Sequence, residues 1–215
     1  MIQPAERSPH PLATELASAL QAAAVDLRVL LLGVGNGRNV PALLETGARV
    51  EAIEDDPSRA RDAVARFASD ARVRIAHAAY VGPYPCTGGF DGALSTNAML
   101  HGTVRHVAAT VDAVRNRLNG GAAFYFTLGS KRDPRFGTGR NVAADTFVCD
   151  DGPEAGVAHC YFDEAGVHAL ARGFVLDSLV EQSAAQTAGA WAHTPEESAK
   201  IIHWFVRARA AKRHW

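Results

Sequence analysis

Three glycines at alternate positions, in Gly33-Val34-Gly35-Asn36-Gly37, follow directly on the apolar run Arg28–Leu32, and no other junction constrains this 215-residue chain as tightly. Without side chains there, backbone N–H groups and the start of the next helix can lie against a polar ligand. The following apolar run, Arg49–Glu54, ends on Glu54. A carboxylate in that place can accept both hydroxyls of a ribose. Asp55 and Asp56 are adjacent, so the acidic role extends to Asp55.

Around this junction strand and helix signals alternate. A breaker-free Leu12–Ala24 predicts a helix, Arg28–Leu32 a buried strand, Asn39–Thr46 a helix and Arg49–Glu54 a second strand. Pro57–Ser69 reads as a helix with Asp56 as its cap and Pro57 in its first position. Arg72–Ala76 and Asp91–Ser95 read as strands on either side of a Gly- and Pro-rich loop, Tyr80–Gly89. Val104, Val107, Val111, Val114 and Leu118 form one helical stripe, with Asn119-Gly120-Gly121 as its stop before a fifth strand, Ala122–Leu128. Such alternation predicts a doubly wound α/β domain, a parallel sheet with helices on both faces. After the Gly-, Asp- and Arg-rich loop Gly129–Cys160 come a helix, Asp163–Arg172, and two strands, Phe174–Glu181 and Ile201–Ala208. Between those strands Thr194-Pro195-Glu196-Glu197 can cap at most a helical turn, so the pair should run antiparallel.

Composition removes several classes of function. Charged residues are 21% of the chain and net charge is -1, without the basic patch that a nucleic-acid partner demands. Cys86, Cys149 and Cys160 are scattered and odd in number, as in a reducing cytoplasm, and form no CxxC pair. No apolar run nears the ~20 residues of a membrane span. The reading is a cytoplasmic monomer or homodimer acting on a small molecule, with neither nucleic-acid nor membrane partners.

A GxGxxG dinucleotide fingerprint would need a third glycine where Arg38 stands. Instead, Val29–Asn39 resembles the first motif of class I S-adenosylmethionine (SAM)-dependent methyltransferases. Glu54 matches that family's ribose-binding acid, and Phe90–Ser95 is similar to its fourth-strand motif. Leu118-Asn119-Gly120-Gly121 looks like its turn before the fifth strand, although proline is commoner there than Asn119. Gly35-Asn36-Gly37-Arg38-Asn39 and Phe90–Leu100 are most similar to the tellurite-resistance and thiol methyltransferase branch. The resemblance covers roughly residues 28–130. It implies a Rossmann-like seven-stranded sheet, mostly parallel with an antiparallel C-terminal strand, and SAM as cofactor. Its cofactor residues are then Gly33, Val34, Gly35, Asn36, Gly37, Arg38, Glu54, Asp55, Ala78, Ser95, Thr96 and Asn97. Two acids common in the family are missing: Leu31 stands two positions before the first glycine, and Ala76-His77-Ala78-Ala79 follows the third strand.

On that basis the chain is a single domain. An N-terminal helical region (1–27) precedes a SAM-binding core (28–130), an acceptor-covering lid (131–162) and a C-terminal helix and strand pair (163–215). His101, on the sheet's carboxyl rim, and His159, at the end of the lid, are candidate bases or orienters of the acceptor. Arg132, Phe136, Arg140, Tyr161 and Trp191 are candidate acceptor contacts. His168 and His203 read as structural. His159 and Cys160 alone are too few to hold a metal. A SAM- or nucleoside-binding module without catalysis and a nicotinamide-dependent oxidoreductase remain as alternative functions.

Overall fold

A computed structural model describes residues 8–21, 26–152, 154–184 and 199–212. Trp191 and the 194–197 cap lie outside them. Five strands, β1 (Arg28–Leu32), β2 (Arg49–Glu54), β3 (Val73–His77), β4 (Phe90–Ser95) and β5 (Leu118–Ser130), lie side by side in the order β3-β2-β1-β4-β5, all parallel. On the far side of β5, β10 (Ile202–Ala210) pairs antiparallel, and β9 (Phe174–Ser183) pairs antiparallel to β10. β9 is thus parallel to the first five strands, and β10 runs against them. The late pair is antiparallel, as the sequence led one to expect.

Alternation along the strands divides the core in two. Val29 and Leu31 join Leu12, Leu16 and Leu20 of α1 (Pro11–Gln21), Leu43 of α2 (Val40–Leu44) and Ala63 of α3 (Pro57–Arg66). Leu30 and Leu32 face the other way, toward Val107, Val111 and Val114 of α4 (Val104–Arg115) and Val167 of α5 (Glu164–Leu170). Asp56 caps α3 by accepting N–H bonds from Ser58 and Arg59 at 2.9 and 2.8 Å, with Pro57 next in line.

Two expectations need correction. Leu118 is not the end of the α4 stripe: it opens β5 and pairs with Phe90 of β4. Residues 119–121 therefore lie inside a strand, beside a register shift between Phe90 and Gly92. The stretch 129–160 is also more than loop. It holds β6 (Arg140–Ala143) and β7 (Thr146–Val148) and leads into β8 (Ala158–Phe162), an antiparallel meander. β8 joins the main sheet through two residue pairs, Gly129↔Tyr161 and Ser130↔Phe162. Strands of three to five residues between glycines are too short for an alternating pattern to show in sequence.

Candidate functional site

The carboxyl ends of β1, β2 and β4 meet around the glycine loop. Gly33 and Gly35 have φ of +78° and +51°, in the left-handed region that glycine adopts without strain. A Cβ on Gly33 would sit 2.3 Å from that of Ala98, whereas one on Gly35 meets nothing within 4 Å. Gly35 N–H donates to Glu54 Oε2 at 3.0 Å, and Tyr80 O–H donates to Oε1 at 3.3 Å. Glu54 is 1% exposed. These groups border a small cavity of about 70 Å³. Of the sequence candidates, Gly33, Val34, Gly35, Asn36, Arg38, Glu54, Asp55, Thr96 and Asn97 line it, and His101 joins them. Gly37, Ala78 and Ser95 stand behind the lining. Thr96 is held by Asn39, whose side-chain amide donates to its hydroxyl at 2.9 Å. Asn97, at φ +52°, donates its N–H to Thr127 Oγ1 at 2.8 Å. A larger cleft of about 780 Å³ runs along β2 and β3 past Phe67 and Cys86. Neither the glycine loop nor Glu54 borders it, so volume alone does not locate the site.

A second cavity, about 310 Å³, lies under the lid and is lined by Arg135, Glu154, His159, Tyr161 and Ile201 among others. Tyr161 is backed by Phe136 and Phe147, with ring centroids at 5.6 and 6.2 Å. Burial pushes the Tyr161 hydroxyl above its ordinary pKa. Arg132 and Arg140 do not line this cavity. Arg132 pairs with Glu181 at 3.0 Å, and Arg140 is exposed at the start of β6. Lys131 pairs with Asp145 and Asp163 at 3.0 and 3.1 Å. The lid's cations mostly brace its frame, and only Arg135 turns inward, to Asp133 at 2.9 Å and Glu154 at 3.4 Å.

The two cavities share a wall. Gly102 N–H donates to Ala158 O at 2.7 Å and Cys160 N–H to Leu100 O at 3.2 Å, which stitches the loop after β4 to β8. His101 and His159 become bridge partners, their rings 4.8 Å apart and nearly perpendicular. Glu154 lies between them, Oε2 at 3.1 Å from His159 Nε2 and Oε1 at 3.5 Å from His101 Nε2. His101 borders the glycine-loop cavity, while His159 and Glu154 border the lid cavity.

No family model matches the chain, and no curated protein does. Solved structures do. A SAM-dependent methyltransferase structure from Methanosarcina mazei superposes with a TM-score of 0.72 at 16% identity, over 96% of this chain and 100% of the other. The 1,6-didemethyltoxoflavin-N1-methyltransferase of Burkholderia thailandensis, solved with its substrate and S-adenosylhomocysteine, gives 0.63 at 19% identity, covering 94% and 80%. The [4+2]-cyclase SpnF also gives 0.63, at 15% identity over 93% and 80%. The chain has the class I methyltransferase fold.

Within that fold, sequence reasoning gave Glu154 no place at the site. Glu154 has no motif around it; its one signal is an acid between Gly152 and Gly156 in a turn-rich lid. His203, read as structural, is 5% exposed with both ring nitrogens lacking a hydrogen-bond partner among the described residues. Burial and the nearby Arg135 charge lower its pKa to about 3. Among the described residues no helix is long and apolar enough to cross a membrane.

Proposed function

We propose that this protein is a SAM-dependent methyltransferase with a small-molecule acceptor, a single domain in which core 28–130 binds the donor and lid 131–162 the acceptor. The observation that carries this reading is the pair of neighbouring cavities, one walled by the glycine loop and Glu54, the other by Tyr161, His159, Glu154 and Arg135 among others, with His101 and His159 in contact at the boundary. The donor side suits an adenosyl group chemically: a buried carboxylate for ribose, backbone N–H groups, and open space over Gly35. Its 70 Å³ is below the roughly 300 Å³ of ordinary ligand pockets, so binding displaces Tyr80 from Glu54. When bound, SAM supplies a methyl group on a sulfonium, transferred in line to a nucleophile. The chain's part is alignment and exclusion of water. His159 and His101 orient the acceptor or take its proton, Tyr161 and Phe136 wall it, and Arg38 with Asn97 borders the donor. Thiols and chalcogen oxyanions come first as acceptor classes, from the likeness of Gly35–Asn39 to the thiol-methylating branch; phenols come next.

Titration calorimetry with SAM and S-adenosylhomocysteine tests the donor half, and radiolabelled SAM with panels of thiols, chalcogen oxyanions and phenols tests the acceptor half. No SAM binding at millimolar ligand refutes the reading. A nucleoside-binding module without catalysis is the second reading, favoured by the small donor cavity and the internal hydrogen bonds on Glu54; SAM binding with no product from any acceptor would support it. Glu54→Ala should weaken SAM binding by about 1–3 kcal/mol, the worth of a lost hydrogen bond to a charged group, read in the same calorimeter. For His159→Ala the expected outcome is turnover at least ~10-fold lower with SAM affinity nearly unchanged, since general acid–base groups contribute ~10²–10⁴-fold. Equal turnover in the variant would remove His159 from the mechanism.

A further inference from the structure

We infer that His101 Nε2, His159 Nε2 and the Glu154 carboxylate form a zinc-class divalent metal site on the wall between the two cavities. One ligand atom from each residue lies within 4.8 Å of the others. The two nitrogen-to-oxygen separations, 3.1 and 3.5 Å, bracket the roughly 3.3 Å edge of a tetrahedron with ~2.0–2.1 Å bonds. Two imidazoles and one carboxylate with a fourth position open is the ligand set of catalytic rather than structural zinc.

The tautomer of His159 carries the argument further. Its Nδ1 lies 3.1 Å from the carbonyl oxygen of Val157, an acceptor only, so Nδ1 bears the proton and donates. In the neutral ring Nε2 is then a bare lone pair. That lone pair is buried, lacks a hydrogen bond among the described residues, and stands 3.1 Å from a carboxylate oxygen. Two lone pairs facing each other at that distance repel, and the arrangement calls for a cation between them. A backbone carbonyl on the far nitrogen is how metal-binding histidines are usually fixed. The cation is a metal ion or a second proton on the ring.

Charge and frame favour the ion. Arg135 reaches Glu154 Oε2 at 3.4 Å, but Asp133 binds it at 2.9 and 3.1 Å. Arg135 therefore divides its charge between two carboxylates. The frame is rigid on both sides: His101 is held through the Leu100 and Gly102 bonds to β8, and Glu154 sits in a turn closed by Gly156 N–H to Cys149 O at 2.8 Å. The widest separation, within 4.8 Å, has to contract when an ion binds, and the less buried His101 ring has more room to move than His159.

The open position faces the 310 Å³ cavity. Its role rests on the methyl-transfer reading, although the site itself does not. A thiol or hydroxyl coordinated there has its pKa lowered, as bound water does. It releases its proton to solvent, and the resulting lone pair forms the bond to the donor methyl. The electron pair of the broken methyl–sulfonium bond returns to sulfur, leaving a neutral thioether.

The test is metal binding to the full chain stripped with a chelator, by equilibrium dialysis against zinc chloride and by the visible absorption of added cobalt(II). One equivalent should bind, with an intense tetrahedral-type cobalt spectrum. His159→Ala and Glu154→Gln should each weaken binding by at least about 100-fold, beyond the 10–100-fold of second-shell losses. His168→Ala, on an exposed ring, should leave it unchanged. No stoichiometric ion, an octahedral hexaaqua-like cobalt spectrum, or full binding in His159→Ala overturns the site and leaves a proton as the cation. Should a variant fail to fold, the wild-type cobalt spectrum decides. SAM titration of the same sample separates the two readings: zinc without SAM binding upholds the site and removes its role in transfer, and SAM without zinc removes the site alone.

Discussion

Gly33→Ala is expected to cost about 2–5 kcal/mol of stability and Gly35→Ala only about 1–2, though the residues are two apart in one loop. Both have positive φ, which an L side chain tolerates at roughly 1–2 kcal/mol. At Gly33 the new methyl also overlaps Ala98 Cβ at 2.3 Å, and overpacking of a filled site adds about 1–3 kcal/mol. For a chain of this size each kcal/mol moves Tm by about 2–4 °C. Scanning calorimetry should therefore place Gly33→Ala roughly 10 °C below wild type and Gly35→Ala within a few degrees of it. SAM affinity should separate them differently. Gly35→Ala, folded, puts a methyl into the open space beside Glu54 and should bind SAM at least ~10-fold more weakly, because close approach of a ligand is what a bare backbone permits. Wild-type affinity in folded Gly35→Ala would mean that the ligand does not lie on this loop.

Acidification is expected to be nearly as damaging, and it begins near pH 6.5. His10 is buried beside Arg38 and stacks on Phe205. Its Nδ1 accepts the Leu12 N–H at 3.1 Å, which holds the ring in a neutral form. Burial first, then Arg38, lowers its pKa to about 3, and burial with Arg135 does the same for His203. Both are depressed from 6.5, so the unfolded chain binds more protons below that pH. Stability is full above about 6.5 and is lost as pH falls toward about 3, at up to roughly 1.4 kcal/mol per pH unit for each ring. Between about pH 7.5 and about pH 5 the two remove on the order of 4 kcal/mol, a Tm drop near 10 °C. The double variant His10→Phe, His203→Phe should show a much flatter Tm–pH curve over that range, whatever its absolute stability. An unchanged slope would show that these rings do not carry the effect.

The donor half was legible because its signals are local. A buried strand, a turn that only glycine relieves, and an acid at the end of the next strand lie within 27 residues (Arg28 to Glu54), and each works without reference to the rest of the chain. The late antiparallel pair was legible for a similar reason, since the sequence between the two strands lacks the apolar periodicity of a crossover helix. The acceptor half was not. Its polar groups come from three places, the rim after β4, the turn at Glu154 and β8, and only the bridge between His101 and His159 brings them together. Counting neighbours of His159 in sequence finds Cys160, whose Sγ instead contacts Leu100 O at 3.4 Å. The lid arginines misled in another way. Arg132 stood as a candidate acceptor contact, but it pairs with Glu181, as its neighbour Lys131 pairs with Asp145 and Asp163. Leu118 failed by coincidence of spacing: it continues the α4 period one turn past the true end at Arg115.

The lid's attachment has a consequence for how such a protein can diversify. The meander joins the parallel sheet through two residue pairs, at the end of β5, and returns to the chain just before α5. A different insertion spliced between Ser130 and Asp163 would leave the glycine loop, Glu54 and the face packed on α1–α3 intact, and would have to replace Cys160 and Phe162 in the other face. Under the proposed function, exchanging one contiguous cassette would change the acceptor while the glycine loop and Glu54 are kept. His101 is the exception, because it belongs to the constant half yet depends on the cassette for its partner, so any transplanted lid must bring its own counterpart to His159.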